Sequence, residues 1–313
     1  MLDLKRLKVL REVAKHGSFS AAAETLYVSQ SAVSQQIAAL EREVGVPLLI
    51  RLRSGPELTD AGVLLVRHAD SAIARLECAE RELTELAGLE TGELRLSSFP
   101  SASASLLIAA ATVFHGLHPK IRLSIAEGDP EDSLPELRRG EHDIALVYDF
   151  EANPLGPDPE IELHPLVTER MHAALPRNHP LAGRSTLRLE ELGEERWMCG
   201  TCNGSCRDLT LLSCQAAGFE ADVAYESDDY NVMLGMISAG LGVTLIPDLA
   251  LVNPLVDRVA VVPIDPDPPI RRVWAATPVA GTRSRATAAM LSILDEVSAD
   301  FVPPGIPGAL AAG

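Results

Sequence analysis

Apolar residues in the first 45 positions repeat with the three-and-four spacing of amphipathic helices. The inward-facing positions of three predicted helices are Leu4, Leu7, Leu10, Val13 and Ala14, then Phe19, Ala22, Ala23 and Leu26, then Val33, Ile37, Leu40 and Val44. The first helix is predicted to end near Gly17, and the chain to turn at Tyr27–Ser29, where Ser29 suits the N-cap of the third helix. Small residues at 21–23 would let the second and third helices cross closely, as in a helix-turn-helix. An ordinary helical hairpin fits the same spacing.

The outward face of the third helix favours the helix-turn-helix. Its residues are Gln30, Ser31, Ser34, Gln35 and Ala38. A solvated face usually mixes Lys and Glu, whereas amides pair with adenine edges and hydroxyls suit phosphate or base edges. We therefore predict a recognition helix in which Gln30, Ser31, Ser34 and Gln35 contact DNA.

A short wing is predicted after Gly45, in the segment VPLLIRLRSGPELT, with a turn at Gly55-Pro56. Arg51 and Arg53 are the candidate phosphate contacts, because cations next to a recognition helix position it on the duplex. Simple solvation is the alternative for each arginine. Thr59, which ends the wing and would cap the next helix, is grouped with the candidate DNA contacts.

One long helix is predicted over 59–89. Its apolar positions, which step alternately by four and three, are Leu65, Ala69, Ala72, Leu76, Ala79, Leu83 and Leu86. A heptad sustained for three repeats is typical of a helix that packs along a partner helix, so we predict a dimer through this linker helix. Packing against its own domain would give the same stripe.

From Gly92 onward, strand and helix signals alternate, which predicts an α/β domain with a mostly parallel sheet. The predicted elements are strands GELRLSS, IRLSIA, DIALVY, VTLIP and RRVWAAT and helices over 101–115, 132–139, 205–217 and 285–299. Because the last strand and helix would return to the first set of elements, the chain should form two lobes around a cleft. The expected boundaries are 1–58 for DNA binding, 59–89 for the linker helix, 90–165 plus 268–303 and 166–267 for the lobes, and 304–313 for a disordered tail.

Polar residues at predicted helix starts would line this cleft. Those of one lobe are Ser98, Ser101 and Ser103, and those of the other are Thr201, Asn203 and Ser205. Ligands of such sheets bind where loops and helix N-termini converge, and helix starts favour anions, so a carboxylate or phosphate effector is expected. Serines at helix starts are also ordinary caps.

The net charge of −17 suits a DNA-binding protein only when it is divided along the chain. Residues 1–67 hold 9 Lys and Arg against 7 Asp and Glu, and the rest hold 18 against 37. The first part can meet phosphate, while the acidic remainder would repel it. We found no signal peptide and no apolar run of about 18 residues, so we expect a cytoplasmic protein without membrane contact, whose cysteines are reduced.

Four of the five cysteines crowd one segment, CGTCNGSCRDLTLLSC, with Cys199, Cys202, Cys206 and Cys214. A zinc site usually takes two well-separated pairs of ligands, and this spacing differs from that arrangement. Structural or cleft-lining thiols are the leading interpretation, and redox sensing or metal binding remain alternatives.

The sequence resembles the LysR-type transcriptional regulators over almost its whole length. The segments that carry the resemblance are FSAAAETLYVSQSAVSQQIAALEREVGVPLLIR, LTDAG and AGFEADVAYESDDYNVMLGMISAGLGVTLIP. The resemblance implies a winged helix-turn-helix, antiparallel pairing of linker helices, a tetramer, and a two-lobed effector domain like the periplasmic binding proteins. It also implies an interrupted inverted repeat as the promoter site, and some relatives use cysteines in this part of the fold as a peroxide switch. Gln35, where many relatives carry Arg, and Leu49-Ile50, in place of an aromatic-acidic pair, depart from the family pattern.

The sequence therefore predicts a transcription regulator whose partners are promoter DNA, a small-molecule effector and further copies of the chain, with RNA polymerase as a further candidate. An enzyme is the first rival, but no nucleophile, phosphate-loop or dinucleotide motif stands in a suitable context, and no cofactor is expected. A transport-type solute-binding protein is the second rival, and it would have no use for residues 1–89.

Overall fold

The computed structural model describes residues 2–52, 55–86, 92–151, 153–201, 204–279 and 284–304. They divide into two compact units, of which the first consists essentially of residues 1–89 and the second of the chain from residue 90 onward. Residues 305–313, which make up most of the predicted tail, lie outside the described residues.

The N-terminal unit consists of helices and one hairpin. Its elements are α1 (Leu4–His16), α2 (Phe19–Thr25), α3 (Gln30–Val44), β1 (Leu49–Leu52), β2 (Gly55–Leu58) and α4 (Asp60–Leu86). The predicted helices are confirmed, and so are the turn and its cap, because the Ser29 hydroxyl accepts a 3.2 Å hydrogen bond from the Ala32 N–H. Leu10, Val13 and Leu40 are fully buried between the helices, as the periodicity predicts.

The first half of α4 packs into the core of this unit. Ala69 and Ile73 are buried in the same core as α1 and α3, and Leu65 packs against it. The heptad prediction is therefore wrong for Leu65 and Ala69, which face their own domain, and it omitted Ile73. The contact is close, since a Cβ added to Gly62 would lie 2.1 Å from the Leu48 carbonyl oxygen. Further along α4, the apolar side chains at Ala72, Leu76, Ala79 and Leu83 are exposed.

The predicted wing is an antiparallel hairpin in which β1 pairs with β2 from Leu49–Leu58 to Leu52–Gly55. The turn prediction was wrong in position, because Gly55 and Pro56 already lie in β2. Residues 53 and 54, which connect the strands, lie outside the described residues. Pro56 fits a two-stranded edge, where a missing N–H breaks no central ladder.

The C-terminal unit alternates strands and helices. Its elements are β3 (Gly92–Ser98), α5 (Pro100–Leu117), β4 (Ile121–Glu127), α6 (Pro130–Arg138), β5 (Ile144–Phe150), β6 (Ile161–Pro176), β7 (Arg196–Cys199), α7 (Ser205–Ala216), β8 (Asp222–Glu226), α8 (Tyr230–Ser238), β9 (Thr244–Pro247), β10 (Val259–Pro263), β11 (Ile270–Pro278) and α9 (Arg285–Ala299). Short 3₁₀ turns add Leu189–Leu192, Asp248–Val252 and Pro254–Arg258. The π-helical turn Ser103–Leu107 lies within α5.

The main sheet has the order β10-β6-β11-β5-β3-β4, and β9 also pairs with β6. Pairing is parallel between β3 and β4 and between β3 and β5, but β11 runs antiparallel to both β5 and β6. The pairs of β6 with β9 and β10 are antiparallel too. The prediction of a mostly parallel sheet was therefore wrong beyond the first three strands, because it assumed that every strand is followed by a crossover helix.

Two lobes share this sheet, and β6 runs through both. Up to Arg170 it pairs with β11, and from Met171 it pairs with β9 and β10. The first lobe contains β3, β4, β5, β11, α5, α6 and α9, and the second contains β7 to β10, α7 and α8. The chain thus enters the second lobe between residues 170 and 171 rather than at 165, because no turn interrupts the strand.

One described helix, Pro100–Leu117, is long and apolar enough by length and composition to cross a membrane. This corrects the expectation that the chain holds no such run. Leu106, Ala110 and Phe114 of this helix are fully buried against the sheet of the first lobe. The helix therefore has the packing of a core helix in a layered α/β domain.

Candidate functional site

The predicted reading face lies on α3, opposite the buried side chains of Val33, Ile37 and Leu40. Gln30, Ser31 and Gln35 are exposed and Ser34 is half-buried. The Ser31 hydroxyl lies 2.9 Å from that of Ser29, near the N-terminus of the helix. The pattern analysis did not single out Tyr27, whose side chain is 96% exposed in the turn before α3. An exposed tyrosine in that turn has no helical periodicity that could have indicated it.

Acidic side chains near this face are engaged within the unit. Glu41 accepts hydrogen bonds from the Leu48 and Leu49 N–H groups, at 2.8 and 3.2 Å, and so fixes the start of the wing. Glu43 pairs with Arg6 at 2.8 Å. Both carboxylates stand at the C-terminal end of α3, so the N-terminal turns of the helix remain free of negative charge, as a surface that meets DNA requires.

The wing carries the candidate phosphate contacts. The backbone of Arg51 is part of β1, while its side chain and all of Arg53 lie outside the described residues. The Thr59 hydroxyl donates to the Pro47 carbonyl at 2.8 Å and accepts from the Gly62 N–H at 3.0 Å. Thr59 therefore caps α4 as predicted, and its only hydroxyl hydrogen is already used within the protein.

A cavity of about 20 Å³ lies between the two lobes of the C-terminal unit. It is lined by Phe99, Pro100, Ser101, Asp129, Tyr148, Cys206, Asp228, Tyr230, Met233 and Arg271. Residues up to Tyr148 come from the first lobe, those from Cys206 to Met233 come from the second, and Arg271 comes from β11. Both lobes thus contribute to one site, at the place where the sequence predicted a cleft.

Arg271 is the central residue of this cavity and is only 2% exposed. Its Nε lies 2.6 Å from Oε1 of Glu169, a residue of β6, and its Nη2 donates to the Ser101 hydroxyl at 3.0 Å. The guanidinium also lies 5.0 Å from the ring centroid of Phe99 and 5.2 Å from that of Tyr148. Burial works against the charged guanidinium, but the adjacent Glu169 carboxylate outweighs it and raises the pKa of Arg271.

Two carboxylates also line the cavity. Asp129 accepts a 3.1 Å hydrogen bond from the Tyr148 hydroxyl, and Asp228 accepts from the N–H and hydroxyl of Thr201 at 2.8 and 2.5 Å. Burial raises the pKa of Asp129, and the nearby carboxylates, Asp228 among them, raise it further. The cavity therefore contains more acidic than basic groups.

The six predicted cleft residues divide into four groups, of which Ser205 alone forms the last. Ser101 lines the cavity and bonds Arg271, and Thr201 reaches the cavity through Asp228. Ser98 and Ser103 bond backbone carbonyls of their own segment, at 3.3 and 3.4 Å, and Ser98 is fully buried, so neither lines the cavity. Asn203 lies outside the described residues.

Ser205 bridges the lobes at the start of α7. Its N–H donates to Oε1 of Glu131 at 2.9 Å, and its hydroxyl donates to the same oxygen. Glu131 stands in the first turn of α6, in the first lobe. A carboxylate of the protein therefore occupies the helix start that the sequence analysis assigned to an anionic ligand.

The cysteines whose side chains the structure describes are Cys199, Cys206 and Cys214, and none of them forms a disulfide. Burial raises the pKa of Cys199 to about 11 and that of Cys214 to about 12, and it also raises the pKa of Cys206. Thiols with raised pKa values are poor nucleophiles and metal ligands at neutral pH. Among the residues that the structure describes, no group of three or more His, Cys, Asp or Glu could hold a metal ion, while Cys202 lies outside them. Packing in the core is the role that the geometry gives Cys199 and Cys214.

Both units of the chain match family models of known proteins. The model of the "Bacterial regulatory helix-turn-helix protein, lysR family" matches residues 4–63, and that of the "LysR substrate binding domain" matches residues 87–299. The probable HTH-type transcriptional regulator LrrA of Synechococcus elongatus is 31% identical over 305 residues, which cover 97% of this chain and all of that protein. A hydrogen peroxide-inducible genes activator of Dickeya chrysanthemi is 29% identical over 253 residues, 80% of each chain.

The fold agrees with these matches. The solved structure of full-length CbnR in complex with its target DNA has a TM-score of 0.60 and 21% identity, and the match covers 95% of this chain and 100% of CbnR. A match of one model to residues 87–299, over half of the chain, and a near full-length relative point to the same family. The chain belongs to the LysR-type transcriptional regulators and combines a DNA-binding helix-turn-helix domain with a two-lobed effector-binding domain.

Proposed function

We propose that a small-molecule effector binds in the cavity between the lobes and changes how the N-terminal unit engages promoter DNA. The observation that carries this proposal is the cavity itself, where Arg271 and Ser101 meet Asp228 and Tyr230 of the opposite lobe. A ligand that touches both lobes binds one arrangement of them better than another, and only such differential affinity can shift a regulator.

Titration of the full-length chain tests this assignment. A thermal-shift screen of metabolites identifies a ligand, and calorimetry then compares the wild type with Ser101→Ala and with the surface variant Ser71→Ala. We expect Ser101→Ala to weaken binding by about 1–3 kcal/mol, because a buried partner is left unsatisfied, and to preserve operator binding. Equal affinity of Ser101→Ala and the wild type for the effector would show that the effector does not bind in this cavity.

On DNA, α3 is proposed to read base edges through Gln30, Ser31, Ser34 and Gln35, while Arg51 and Arg53 of the wing contact phosphates. The support is the position of the first four residues in the N-terminal turns of α3, which carry no carboxylate. The proposed site is an interrupted inverted repeat in a promoter, since two-fold symmetric dimers match two-fold symmetric sites.

Two substitutions separate these roles. Gln35→Ala should relax preference at one base pair of each half-site, by roughly 1–3 kcal/mol, while Arg51→Ala should weaken binding to every sequence and lower the salt slope by about one. Filter binding across salt concentrations and a library of half-sites measures both effects. A footprint that survives deletion of residues 1–58 would contradict the assignment of DNA binding to this unit.

The chain is further proposed to form a dimer through α4, and tetramers built from such dimers. Ala72, Leu76, Ala79 and Leu83 keep the four-three-four spacing of a helix seam, and Leu76 and Leu83 are 49% and 66% exposed. Leu76→Lys should reduce dimer and operator affinity together, whereas Glu80→Lys introduces the same charge outside the seam and should change neither. A fully dimeric Leu76→Lys protein in light scattering would place the dimer contact elsewhere.

We also propose that the chain works in the cytoplasm, where promoter DNA and metabolites meet, and that it catalyses no reaction. The named relatives are transcription regulators. RNA polymerase remains a proposed partner of the assembled regulator.

A further inference from the structure

The cavity between the lobes has hydrogen-bond donors on one side. Because the Ser101 hydroxyl accepts from Nη2 of Arg271, its own hydrogen is available to a ligand. The hydrogen bonds of Arg271 to described side chains use its Nε and Nη2 and leave Nη1 for a ligand. The helix α5 begins here with Phe99 at its N-cap and no side-chain cap, so its first N–H groups add positive potential. This side of the cavity is suited to an anionic oxygen group.

The cavity also contains hydrogen-bond acceptors. Asp129 and Asp228 both line it, and each carboxylate keeps lone pairs beyond those used by Tyr148 and Thr201. Arg271 is the one cation among the described lining residues, and Glu169 already compensates its charge. Two carboxylates without a cationic partner in the cavity would repel a simple anion and attract a cationic nitrogen.

The second helix start that faces the first lobe is already filled. The start of α7, which belongs to the second lobe, is occupied by Glu131 of the first lobe through Ser205. An anion that sought this helix start would have to displace a carboxylate held by two donors. The donors at Arg271 and Ser101 therefore remain as the anion site of the cleft.

We propose that the effector is a small zwitterion of the α-amino acid class, whose carboxylate binds Arg271 and Ser101 and whose ammonium binds Asp129 and Asp228. This inference rests on the proposed function, because it names the ligand of the same cavity. A plain carboxylate would leave the two aspartates unpaired, and a plain amine would leave the arginine and serine donors unpaired. Each would forfeit the contacts on one side of the cavity.

The size of the cavity adds a condition. A volume of about 20 Å³ holds roughly one water molecule, so a ligand enters only when the lobes move apart. The bridge from Ser205 to Glu131 joins the lobes and must open in that step. The proposal therefore favours small amino acids over bulky ones.

The experiment uses calorimetry and thermal shift on the full-length chain with each of the common L-α-amino acids as the probe. Every amino acid that binds is compared with the acid that lacks its amino group and with the amine that lacks its carboxylate. We expect both analogues to bind roughly 10- to 100-fold more weakly than the parent amino acid. No binding by any amino acid, or equal binding by the acid without an amino group, overturns the proposal.

Variants assign the two ends of the ligand. Asp228→Asn should weaken binding of the amino acid by a similar factor, and it should leave binding of the acid without an amino group unchanged or stronger. Ser101→Ala should weaken both the amino acid and that acid. Asp132→Asn is the matched control, because Asp132 lies exposed on α6 and does not line the cavity. Equal loss in Asp132→Asn and Asp228→Asn would overturn the assignment of the ammonium.

The outcomes also separate this inference from the proposed function. If another class of metabolite binds and Ser101→Ala weakens it, the cavity is the effector site and only the zwitterion is refuted. If ligands bind but neither Ser101→Ala nor Asp228→Asn changes their affinity, the cavity itself is refuted as the effector site. Tryptophan fluorescence during urea denaturation verifies that the C-terminal unit of each variant is folded, because Trp197 and Trp274 both lie in it.

Discussion

Replacement of Arg271 by Met should destabilise the effector domain in a way that depends on pH. The substitution removes one member of a fully buried ion pair. In this pair Glu169 accepts hydrogen bonds from the Arg271 Nε at 2.6 Å and from the Leu249 N–H at 2.7 Å. Burial already raises the pKa of Glu169 while Arg271 lowers it, so loss of the arginine raises this pKa further. The orphaned carboxyl then takes up a proton, since a neutral acid is cheaper to bury than an isolated charge.

The cost follows from that protonation. Protonation of a carboxyl with an ordinary pKa of 4.5 costs about 3.4 kcal/mol at pH 7. This value is the upper limit of the electrostatic contribution to the destabilisation. In the variant the pKa of Glu169 is higher in the folded chain than in the unfolded chain. The folded state is therefore more stable at low pH, and this stability is lost as the pH rises. The destabilisation relative to wild type should therefore grow by about 1.4 kcal/mol per pH unit above pH 5 while the wild-type pair stays ionised. The reverse change, Glu169→Gln, should cost about 3–5 kcal/mol at every pH, because arginine cannot release its proton.

Urea denaturation followed by tryptophan fluorescence measures this. The two tryptophans, Trp197 and Trp274, both lie in the C-terminal unit, so their emission reports on that unit within the full chain. The double variant Arg271→Met/Glu169→Leu is the control, and it should regain most of the lost stability and show no pH dependence. If Arg271→Met had the same pH profile as this double variant, Glu169 would not be a buried charge, and the reasoning would fail.

Three further predictions concern other parts of the chain. Gly62→Ala should lower stability despite an intrinsic helix gain of about 1 kcal/mol, because its Cβ would meet the Leu48 carbonyl at 2.1 Å and overpacking costs roughly 1–3 kcal/mol. Circular dichroism during urea unfolding checks this, and a more stable variant would contradict the close contact. Glu41→Ala should lower DNA affinity for all sequences alike by loosening the wing, while Glu43→Ala, which removes a surface ion pair, should have little effect. Alkylation of Cys199 at pH 8 should be about a hundredfold slower in the folded than in the unfolded chain, because a pKa of about 11 leaves few thiolates. Timed labelling with peptide mass spectrometry measures it, and equal rates would exclude a protonated, buried thiol.

The N-terminal unit was predictable because its helices, caps and turn are all encoded locally. Besides the position of the wing turn, the exception is α4, where Leu65 and Ala69 fit both a heptad seam and the face toward α1. A straight helix drifts by about 20° per heptad, so one apolar stripe can serve two partners along its length. In the structure Ile73 is the buried residue at this point of α4, whereas the heptad contains its neighbour Ala72.

Apart from Ser101, the residues that line the cavity were not predicted, because only polar groups at helix starts were expected there. Strand alternation held the better signal. Glu169 precedes Met171 and Ala173 on the buried face of β6, and Arg271 precedes Val273 on the buried face of β11. Two opposite charges at buried positions of two strands indicate a pair, but only the structure shows that these strands are neighbours across 102 residues of sequence. Long-range strand order has no local sequence signal, which also explains the wrong prediction of a parallel sheet.

The uninterrupted course of β6 through both lobes limits how they can move. Arg170 pairs with Ile270 in one lobe and Met171 pairs with Pro247 in the other, so no unpaired residue separates the two ladders. Bending the chain there would break ladder hydrogen bonds, whereas a strand twists about its own axis at little cost. The lobes are therefore joined by one continuous strand, and we expect their relative motion to be a small rotation about β6. We therefore expect the proposed effector to act by changing the rotation of one lobe relative to the other about β6.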